Sequence, residues 1–315
     1  MSISITAPDG VAEIEPGDDL AEHVLAVLEL QDDDVLVVTS KVVSKAEGRL
    51  RQGDRAQTLD AETARLVARR GETSIVRTHH GLTLAAAGID ASNVAQGWVV
   101  LLPEDPDASA RRLRDSLHER CGRNVAVVIT DTAGRAWRTG QTDIAIGAAG
   151  LVVTQSFAGR HDAHGNPLAV TEPAVADELA GAAELAGGKL AGRPFAVVRG
   201  RPDLVLGVGD HGPGAAALIR PDGEDLFGYG AREAVVAAVR GTDPVPFGAP
   251  VPAQELAAAI ERAGAARVRV HDASEVAVEA ASRELLALVA FVHGWQVDEN
   301  HHDSAIRLRP RPGTP

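Results

Sequence analysis

The chain has 315 residues, of which 45% are hydrophobic and 24% charged, and its formal net charge is −13 at pH 7. This composition predicts a folded chain of about two domains and excludes wholesale disorder. The negative charge argues against nucleic acid and anionic membranes as partners, because both are bound through clustered basic residues. A single cysteine, Cys121, excludes an internal disulfide and a multi-cysteine metal site.

The first eight residues lack the basic segment and the apolar core of a signal peptide. No apolar run reaches the roughly 18 residues that a membrane span needs. We therefore expect a cytoplasmic protein that has no membrane partner.

The hydrophobic pattern predicts strands and helices that interleave without a regular β-α-β rhythm. Short strands are expected within residues 3–14 and over 35–39, 98–102, 125–130, 144–154 and 194–199. Helices are expected over 19–30, capped by Asp18 or Asp19, and over 61–70, 108–120, 175–185 and 231–240. This predicts an α+β fold in which helices surround mixed sheets.

The composition changes at residues 241–252, where four prolines predict a linker. Beyond it we expect a helix (253–263), a strand (266–271), a long helix (274–293) and a last strand (304–309). The sequence thus predicts a main domain over residues 1–245. A small accessory α+β unit, with an αβαβ order and no assigned role, follows over residues 246–315.

Lysine is rare in this chain: of 31 basic residues only Lys41, Lys45 and Lys189 are lysines. A lysine that persists among arginines can mark a site that needs a compact point charge, for instance on a phosphate. Lys41 follows Ser40 at the carboxyl end of a predicted buried strand, where ligands bind in many sheet proteins. The alternatives are survival of these lysines by chance and a solvated basic turn.

A second candidate segment begins at Asp131, directly after the apolar run 125–130. A carboxylate there either caps a turn or binds a hard cation, to which Thr132 can add a neutral oxygen ligand. Arg135 and Arg138 flank Trp137 and offer positive charge beside a flat surface.

A third segment covers residues 80–93, where small residues at 85–88 permit close backbone approach. Asp90 is a candidate second carboxylate for a cation at Asp131, and Asn93 follows it. Such residues are also common turn formers. Asp143 is either part of the site or paired with Arg135 or Arg138.

Other strings are given less weight. The GVGDHG string at 207–212 matches a dinucleotide fingerprint, but prolines and glycines follow where a helix should begin. The histidine pairs at 79–80, 161/164 and 301–302 lack a third ligand at metal spacing, so we expect exposed polar histidines.

Together these segments resemble the deazaflavin coenzyme F(420) gamma-glutamyl ligases, also called coenzyme F(420)-0:L-glutamate ligases. The resemblance spans roughly residues 5–240 and rests on several ordered motifs. They are EPGDDL at 15–20, TSKVVSKAEGR at 39–49, the 80–93 stretch, PEDPDASAR at 103–111, DTAGRAWRTGQTDIAIG at 131–147, GR and HG at 159–165, VADEL at 175–179, and LIRP with EDLF at 218–227.

The resemblance implies GTP-dependent joining of L-glutamate to the deazaflavin coenzyme, through an acyl phosphate, with further glutamates added through gamma linkages. It also implies a Mg²⁺ or Mn²⁺ requirement and a two-lobed α+β homodimer. The partners implied are GTP, L-glutamate and the coenzyme. Some relatives carry a flavin-binding domain at the C-terminus, but residues 246–315 are too few for one, so no flavin is predicted.

The family roles transfer residue by residue. Asp90, Asp131 and Thr132 are expected to hold the metal. The residues expected beside GTP are Val11, Ala12, Glu13, Ile14, Ser40, Lys41, Lys45, Asn93 and Gly188. Lys45 and Arg135 are expected to act with Asp131 in catalysis by absorbing phosphate charge. Ala12 departs from the family pattern, which usually has proline there.

Two alternatives remain open from the sequence. One is a metal- and nucleotide-dependent carboxylate-amine ligase that uses another acceptor. The other is a nucleotide-binding regulatory module without catalysis, which would be expected to lack Asp131 or Asp90. Both aspartates are present.

Overall fold

The computed structural model describes residues 2–264, 267–279, 282–299 and 305–312. The helices are α1 (Leu20–Val27), α2 (Ser40–Ala46), α3 (Arg55–Glu62), α4 (Pro106–Cys121), α5 (Val175–Gly187), α6 (Ala231–Arg240), α7 (Ala253–Arg262) and α8 (Arg283–Val292). The strands are β1 (Ser4–Thr6), β2 (Val35–Thr39), β3 (Leu50–Gln52), β4 (Thr63–Arg70), β5 (Thr73–Thr78), β6 (Thr83–Ala85), β7 (Trp98–Val100), β8 (Ala126–Arg135), β9 (Arg138–Ala149), β10 (Arg160–His161), β11 (Pro167–Leu168), β12 (Phe195–Arg199), β13 (Arg267–Asp272), β14 (Glu275–Glu279), β15 (Trp295–Val297) and β16 (Ile306–Pro310). The predicted start of the last strand at residue 304 and the histidines at 301–302 lie outside the described residues.

The chain folds into two compact units. The first comprises Met1–Arg65 and Ile75–Ile219, and the second comprises Leu66–Ser74 and Arg220–Pro315. The first unit therefore ends before residue 245, and the internal segment Leu66–Ser74 is part of the second unit. The boundary at 245/246 stays a prediction of where the ligase-like body ends.

A five-stranded mixed sheet organises the first unit, in the order β1-β12-β2-β8-β9. Strands β2 and β8 run parallel, with Val35 opposite Ala126 and Thr39 opposite Thr130. The other pairs in this sheet are antiparallel. The predicted α+β class with mixed sheets is confirmed.

Helices cover both faces of this sheet. Successive side chains of a strand point to opposite faces, so the apolar residues of the buried strands make both faces apolar. Leu36 and Val38 of β2 join a core that includes residues of α1 and α4. Val35 and Val37 point the other way, into a core that α5 completes. The sheet is thus held between two apolar layers, and its loops are positioned on a rigid support.

Buried charged side chains tie loops to this sheet. Arg114 of α4 is 3% exposed and donates to the carbonyls of Val125, Leu206 and Gly207. Asp107 accepts the backbone N–H of Ala148 at 2.8 Å. These bonds satisfy backbone groups that would otherwise be buried without a partner. The GVGDHG string at 207–212 is therefore part of an arginine-anchored loop.

The helix predicted over residues 61–70 is wrong. Helix α3 begins earlier, where Asp54 and Gln57 form a capping box, and it ends at Glu62. The next eight residues form β4 in a sheet of order β4-β5-β6. Strand pairing here overrides the local helical pattern, as tertiary contacts often do.

The second unit includes a four-stranded sheet of order β13-β14-β16-β15, in which all pairs are antiparallel. The long helix predicted over 274–293 is wrong, because residues 275–279 form β14 and, of the described residues in this range, only Arg283–Val292 is helical. Val276 and Val278, which lie between Glu275 and Glu279, reach a buried core around Trp295. Ser282 caps α8 by accepting from the N–H of Leu285.

Across the described ranges, no helix combines the length and the apolar character that a membrane span requires.

Candidate functional site

A cleft of about 910 Å³ opens in the first unit. Twelve residues expected to bind metal or nucleotide line it together. They are Val11, Ala12, Glu13, Ile14, Ser40, Lys41, Lys45, Asp90, Asn93, Asp131, Thr132 and Gly188. They come from five separate stretches of the chain, so the fold gathers residues that are far apart in sequence.

The parallel pairing of β2 and β8 brings the first two stretches together. Because Thr39 is opposite Thr130, the residues that follow them, Ser40 and Asp131, lie side by side at one edge of the sheet. The Ser40 hydroxyl lies 3.4 Å from Oδ1 of Asp131.

The sequence suggested that Asp131 directly follows the end of its strand, but this is wrong. β8 continues to Arg135 and pairs with β9, with Asp131 opposite Ile144 and Thr132 opposite Asp143. Neighbouring side chains in a strand point to opposite faces. The side chains of Asp131 and Thr132 therefore point to opposite faces of the strand and have different partners, Ser40 and Asp143, although both residues line the cleft.

The cost of burying the ionised Asp131 carboxyl is only partly offset by its hydrogen bonds. Burial raises its pKa to about 7, and the nearby charges of Asp143 and Asp90 act in the same direction. Hydrogen bonds from the Thr132 backbone and Ser40 only partly oppose this rise. A carboxyl in this state gains from the approach of a cation, which would stabilise its ionised form.

Asp90 has the opposite electrostatic balance. Its backbone forms an antiparallel bridge with Val100, which fixes it beside the cleft. Burial alone would raise the pKa of Asp90, but hydrogen bonds from Lys41 and from the backbone and hydroxyl of Ser92 outweigh it and lower the pKa. The Lys41 ammonium lies 2.6 Å from Oδ2 of Asp90.

All three lysines of the chain line this one cleft. Lys45 is buried and pairs with Glu13. Lys189, in the loop after α5, donates to the hydroxyl of Thr132 at 2.6 Å. The rarity of lysine was therefore a useful signal, although the sequence assigned no role to Lys189.

Arg135 is not among the residues that line the cleft. It lies in the β8–β9 hairpin and donates to the carbonyl of Thr139. Trp137 has a positive φ of 59° in the turn of that hairpin and is 87% exposed. The catalytic role expected for Arg135 stays a prediction.

Sequence reasoning left several cleft residues without a role. They are Ser92, Glu184 and Lys189. Asp143 is 6% exposed and accepts hydroxyl hydrogen bonds from Thr130 at 3.0 Å and Thr132 at 2.7 Å. It forms an ion pair with Lys189 at 3.9 Å, whereas the sequence considered pairing with Arg135 or Arg138. Ser44, which with Lys45 repeats the Ser40–Lys41 pair in the sequence, also lines the cleft, since residues four apart share a helix face.

The residues present fit a hard divalent cation. Carboxylates and neutral oxygens are the ligands that Mg²⁺ and Mn²⁺ prefer, and a bound cation would favour the ionised form of Asp131, whose pKa burial raises. Within the described residues, no three acidic, histidine or cysteine side chains form a ready-made cage. A cation held by few protein ligands typically completes its shell with water and substrate phosphates.

A cleft of this kind, with lysines, hydroxyls and two carboxylates at a sheet edge, is typical of enzymes that handle phosphorylated substrates with a divalent ion. The family model for F420-0:gamma-glutamyl ligase matches residues 10–200, which is more than half of the chain. The chain belongs to this family.

Curated relatives are similar over most of their own length. A coenzyme F420:L-glutamate ligase from Haloarcula marismortui is 38% identical over 257 residues, which covers 73% of this chain and 98% of the relative. The protein of the same name from Methanopyrus kandleri is 41% identical over 238 residues, covering 68% and 93%. One from Archaeoglobus fulgidus is 40% identical over 220 residues, covering 64% and 88%.

Proposed function

We propose that this chain is a GTP-dependent ligase that joins L-glutamate to the deazaflavin coenzyme F420-0 by an amide bond. The observation that carries the proposal is that all three lysines share one cleft with Asp90, Asp131 and Ser40. Family membership supports the acceptor and the amino acid. Further gamma-linked glutamates, a homodimeric assembly and a cytoplasmic location are part of the same proposal.

The chemistry needs activation because a carboxylate does not react with an amine at neutral pH. Attack of the coenzyme carboxylate on the γ-phosphorus of GTP forms a carbon–O–phosphorus link and releases GDP. The glutamate amine then attacks the acyl carbon, and inorganic phosphate leaves as the amide forms. Such phosphoryl transfer depends on positioning and charge neutralisation more than on a protein nucleophile.

The cleft residues divide this work. In this proposal Lys41 and Lys45 hold phosphate oxygens, with the help of Ser40 and Asn93, which line the same cleft. Asp90 and Asp131 would hold the divalent ion, which when bound neutralises phosphate charge. Residues 11–14 and Gly188, whose φ is 71°, line the part of the cleft that we propose to bind the nucleotide.

The direct test is incubation of the purified chain with GTP, Mg²⁺ or Mn²⁺, L-glutamate and the unglutamylated coenzyme. Mass spectrometry should show added glutamate, with one GDP and one phosphate released per bond. Heavy oxygen placed in the coenzyme carboxylate should appear in the released phosphate, as an acyl phosphate requires. Replacement of GTP by ATP tests the choice of nucleotide.

Two results would reject the proposal. GTP turnover with no glutamylated product would point to another acceptor. Nucleotide binding with no turnover, under any tested acceptor and metal, would favour a regulatory module.

A further inference from the structure

We propose that the tip of the β8–β9 hairpin binds the acceptor coenzyme, with Trp137 stacked on the deazaflavin ring and Arg135 and Arg138 bound to its anionic chain. This inference rests on the proposed function. A deazaflavin ring is flat and aromatic, and a negatively charged chain joins it to the carboxylate that reacts. A site for such a molecule needs an exposed aromatic face beside positive charge.

The two arginines of the hairpin tip lie directly opposite each other. Arg135 of β8 is paired with Arg138 of β9, and both residues are exposed. Like charges in such a cross-strand pair repel each other. Within the described part of the chain neither arginine has an acidic partner, and Arg135 donates to the main-chain carbonyl of Thr139. In a chain with a net charge of −13, two facing guanidinium groups without a carboxylate favour an anionic ligand that bridges them.

Trp137 lies in the turn between these arginines in a strained backbone conformation. Its φ is 59° and its side chain is 87% exposed. Bulky residues rarely adopt a positive φ, and such strain is typical of ligand sites. Exposure of a large aromatic surface to water is also unfavourable. A flat ligand that covers the indole would remove this exposure, and the adjacent cations would orient the anionic part of the ligand.

The hairpin leads from this tip into the cleft. Gly134 and Gln141 lie opposite each other in the hairpin, and both line the cleft. Asp131 precedes Arg135 by four residues in β8, so the two are about 13 Å apart along the strand. An elongated acceptor can therefore place its carboxylate near Asp131 and its ring at Trp137.

The other two substrates do not account for the hairpin tip. The proposed contacts of the nucleotide come from residues 11–14, from α2 and from Gly188, which lie outside the hairpin. L-Glutamate has no aromatic group that could stack on an indole. The coenzyme is the remaining substrate, and it carries both the flat ring and the negative charge that the tip is suited to bind.

The test compares the steady-state constants of hairpin variants with those of the native chain. Because stacking of a flat ring on an aromatic side chain contributes a factor of about 5 to 100, Trp137→Leu should raise the KM for the coenzyme by that factor. Trp137→Phe should recover most of the loss. Each arginine is exposed, so Arg135→Gln or Arg138→Gln alone should raise this KM only about 2- to 5-fold, and the double variant about 10-fold. The KM values for GTP and L-glutamate should not change.

Trp98→Leu and Arg51→Gln are the matched controls. Trp98 is 39% exposed, and Arg51 is an exposed strand residue that donates to main-chain carbonyls as Arg135 does. Neither residue lines the cleft. Both controls should keep the native KM for the coenzyme.

A binding measurement without turnover completes the test. Titration with the unglutamylated coenzyme alone should quench the tryptophan fluorescence of the native chain and of Trp98→Leu, and this quenching should be largely lost in Trp137→Leu. Added salt should weaken binding more in the native chain than in the double arginine variant.

Several results would overturn the assignment of the hairpin tip. They are a native coenzyme KM and native quenching in Trp137→Leu and in the double arginine variant, or equal rises in the KM values for GTP and the coenzyme. A lower kcat with an unchanged coenzyme KM in the arginine variants would also contradict it and would favour the catalytic role expected for Arg135. A native chain that makes no glutamylated product would instead reject the proposed function.

Discussion

The Lys41 ammonium lies 2.6 Å from Oδ2 of Asp90 and donates to the Ser92 hydroxyl at the same distance. A residue proposed to bind phosphate is thus paired with a residue proposed to bind metal. A divalent ion on Asp90 would compete with the lysine and leave its ammonium available to phosphate oxygens. We therefore expect metal and nucleotide to strengthen each other's binding.

Lys41→Arg and Lys45→Arg should each weaken GTP binding about 10- to 100-fold, because a guanidinium is planar and bulkier than an ammonium and cannot occupy its place. Lys45 is 9% exposed, which makes its site especially restrictive. Calorimetric titration with GTP and Mg²⁺ measures the loss. The control is Arg123→Lys, at a surface pair with Asp32 outside the cleft. Native affinity in both cleft variants would remove the inference drawn from the rarity of lysine.

Asp131→Asn should change how stability depends on pH. The folded-state pKa of Asp131 is raised from 3.8 to about 7, so the folded chain binds the extra proton between these values. Stability from this group is full below about pH 4 and is lost as pH rises towards and through about 7. The variant should lack this decline, so its melting temperature relative to the native chain should increase across that window. Parallel melting curves from pH 4 to 8 would contradict the assignment.

Metal binding should show the same titration. Because the ion must displace a proton from Asp131, Mn²⁺ affinity should fall about tenfold for each pH unit below about 7. Electron paramagnetic resonance of free Mn²⁺ measures this. Asp131→Asn should bind Mn²⁺ weakly at every pH, and strong binding by this variant would place the metal elsewhere.

Ser44→Ala should separate ligand binding from stability. The Ser44 hydroxyl is buried beside the cleft and has no hydrogen-bond partner among the described residues. Its removal should leave the melting temperature unchanged or higher, yet weaken GTP binding about threefold to tenfold if the hydroxyl contacts the ligand.

Thr78→Val is the matched control for this experiment. Thr78 carries another buried hydroxyl without a partner in the described structure, but it does not line the cleft. Its substitution should leave GTP affinity unchanged. Equal GTP affinity in Ser44→Ala and the native chain would show that Ser44 is only a tolerated unpaired group.

Leu256→Ala should destabilise the second unit by about 2–5 kcal/mol, because Leu256 is fully buried in its core. The residues that line the cleft all belong to the first unit, so GTP affinity of the folded chain should not change. Denaturant unfolding and calorimetric titration measure the two effects. Leu226→Ala, at a residue that is 90% exposed in the same unit, is the control. A loss of GTP affinity in Leu256→Ala alone would show that the accessory unit contributes to the site.

Most helices and strands that a local sequence pattern specifies could be predicted from the sequence alone. The continuous apolar runs at 35–39 and 125–130 are observed as strands, and α1 is capped by Asp19, one of the two aspartates predicted for that position. Hydrophobic periodicity and capping residues act within a few positions, so they are readable without the fold. The motifs at 39–49, 80–93 and 131–147 identified the family for the same reason, because each is a contiguous string.

The tertiary structure decided what depends on pairing between distant segments. Residues 63–70 and 275–279 are strands because partner strands complete their hydrogen bonds, which no local pattern encodes. The β8–β9 register places Asp143 opposite Thr132, and the end of α5 brings Lys189 to the same hydroxyl. Burial within this arrangement, and not the identity of Asp131, raises its pKa, since desolvation is a property of the packed surroundings.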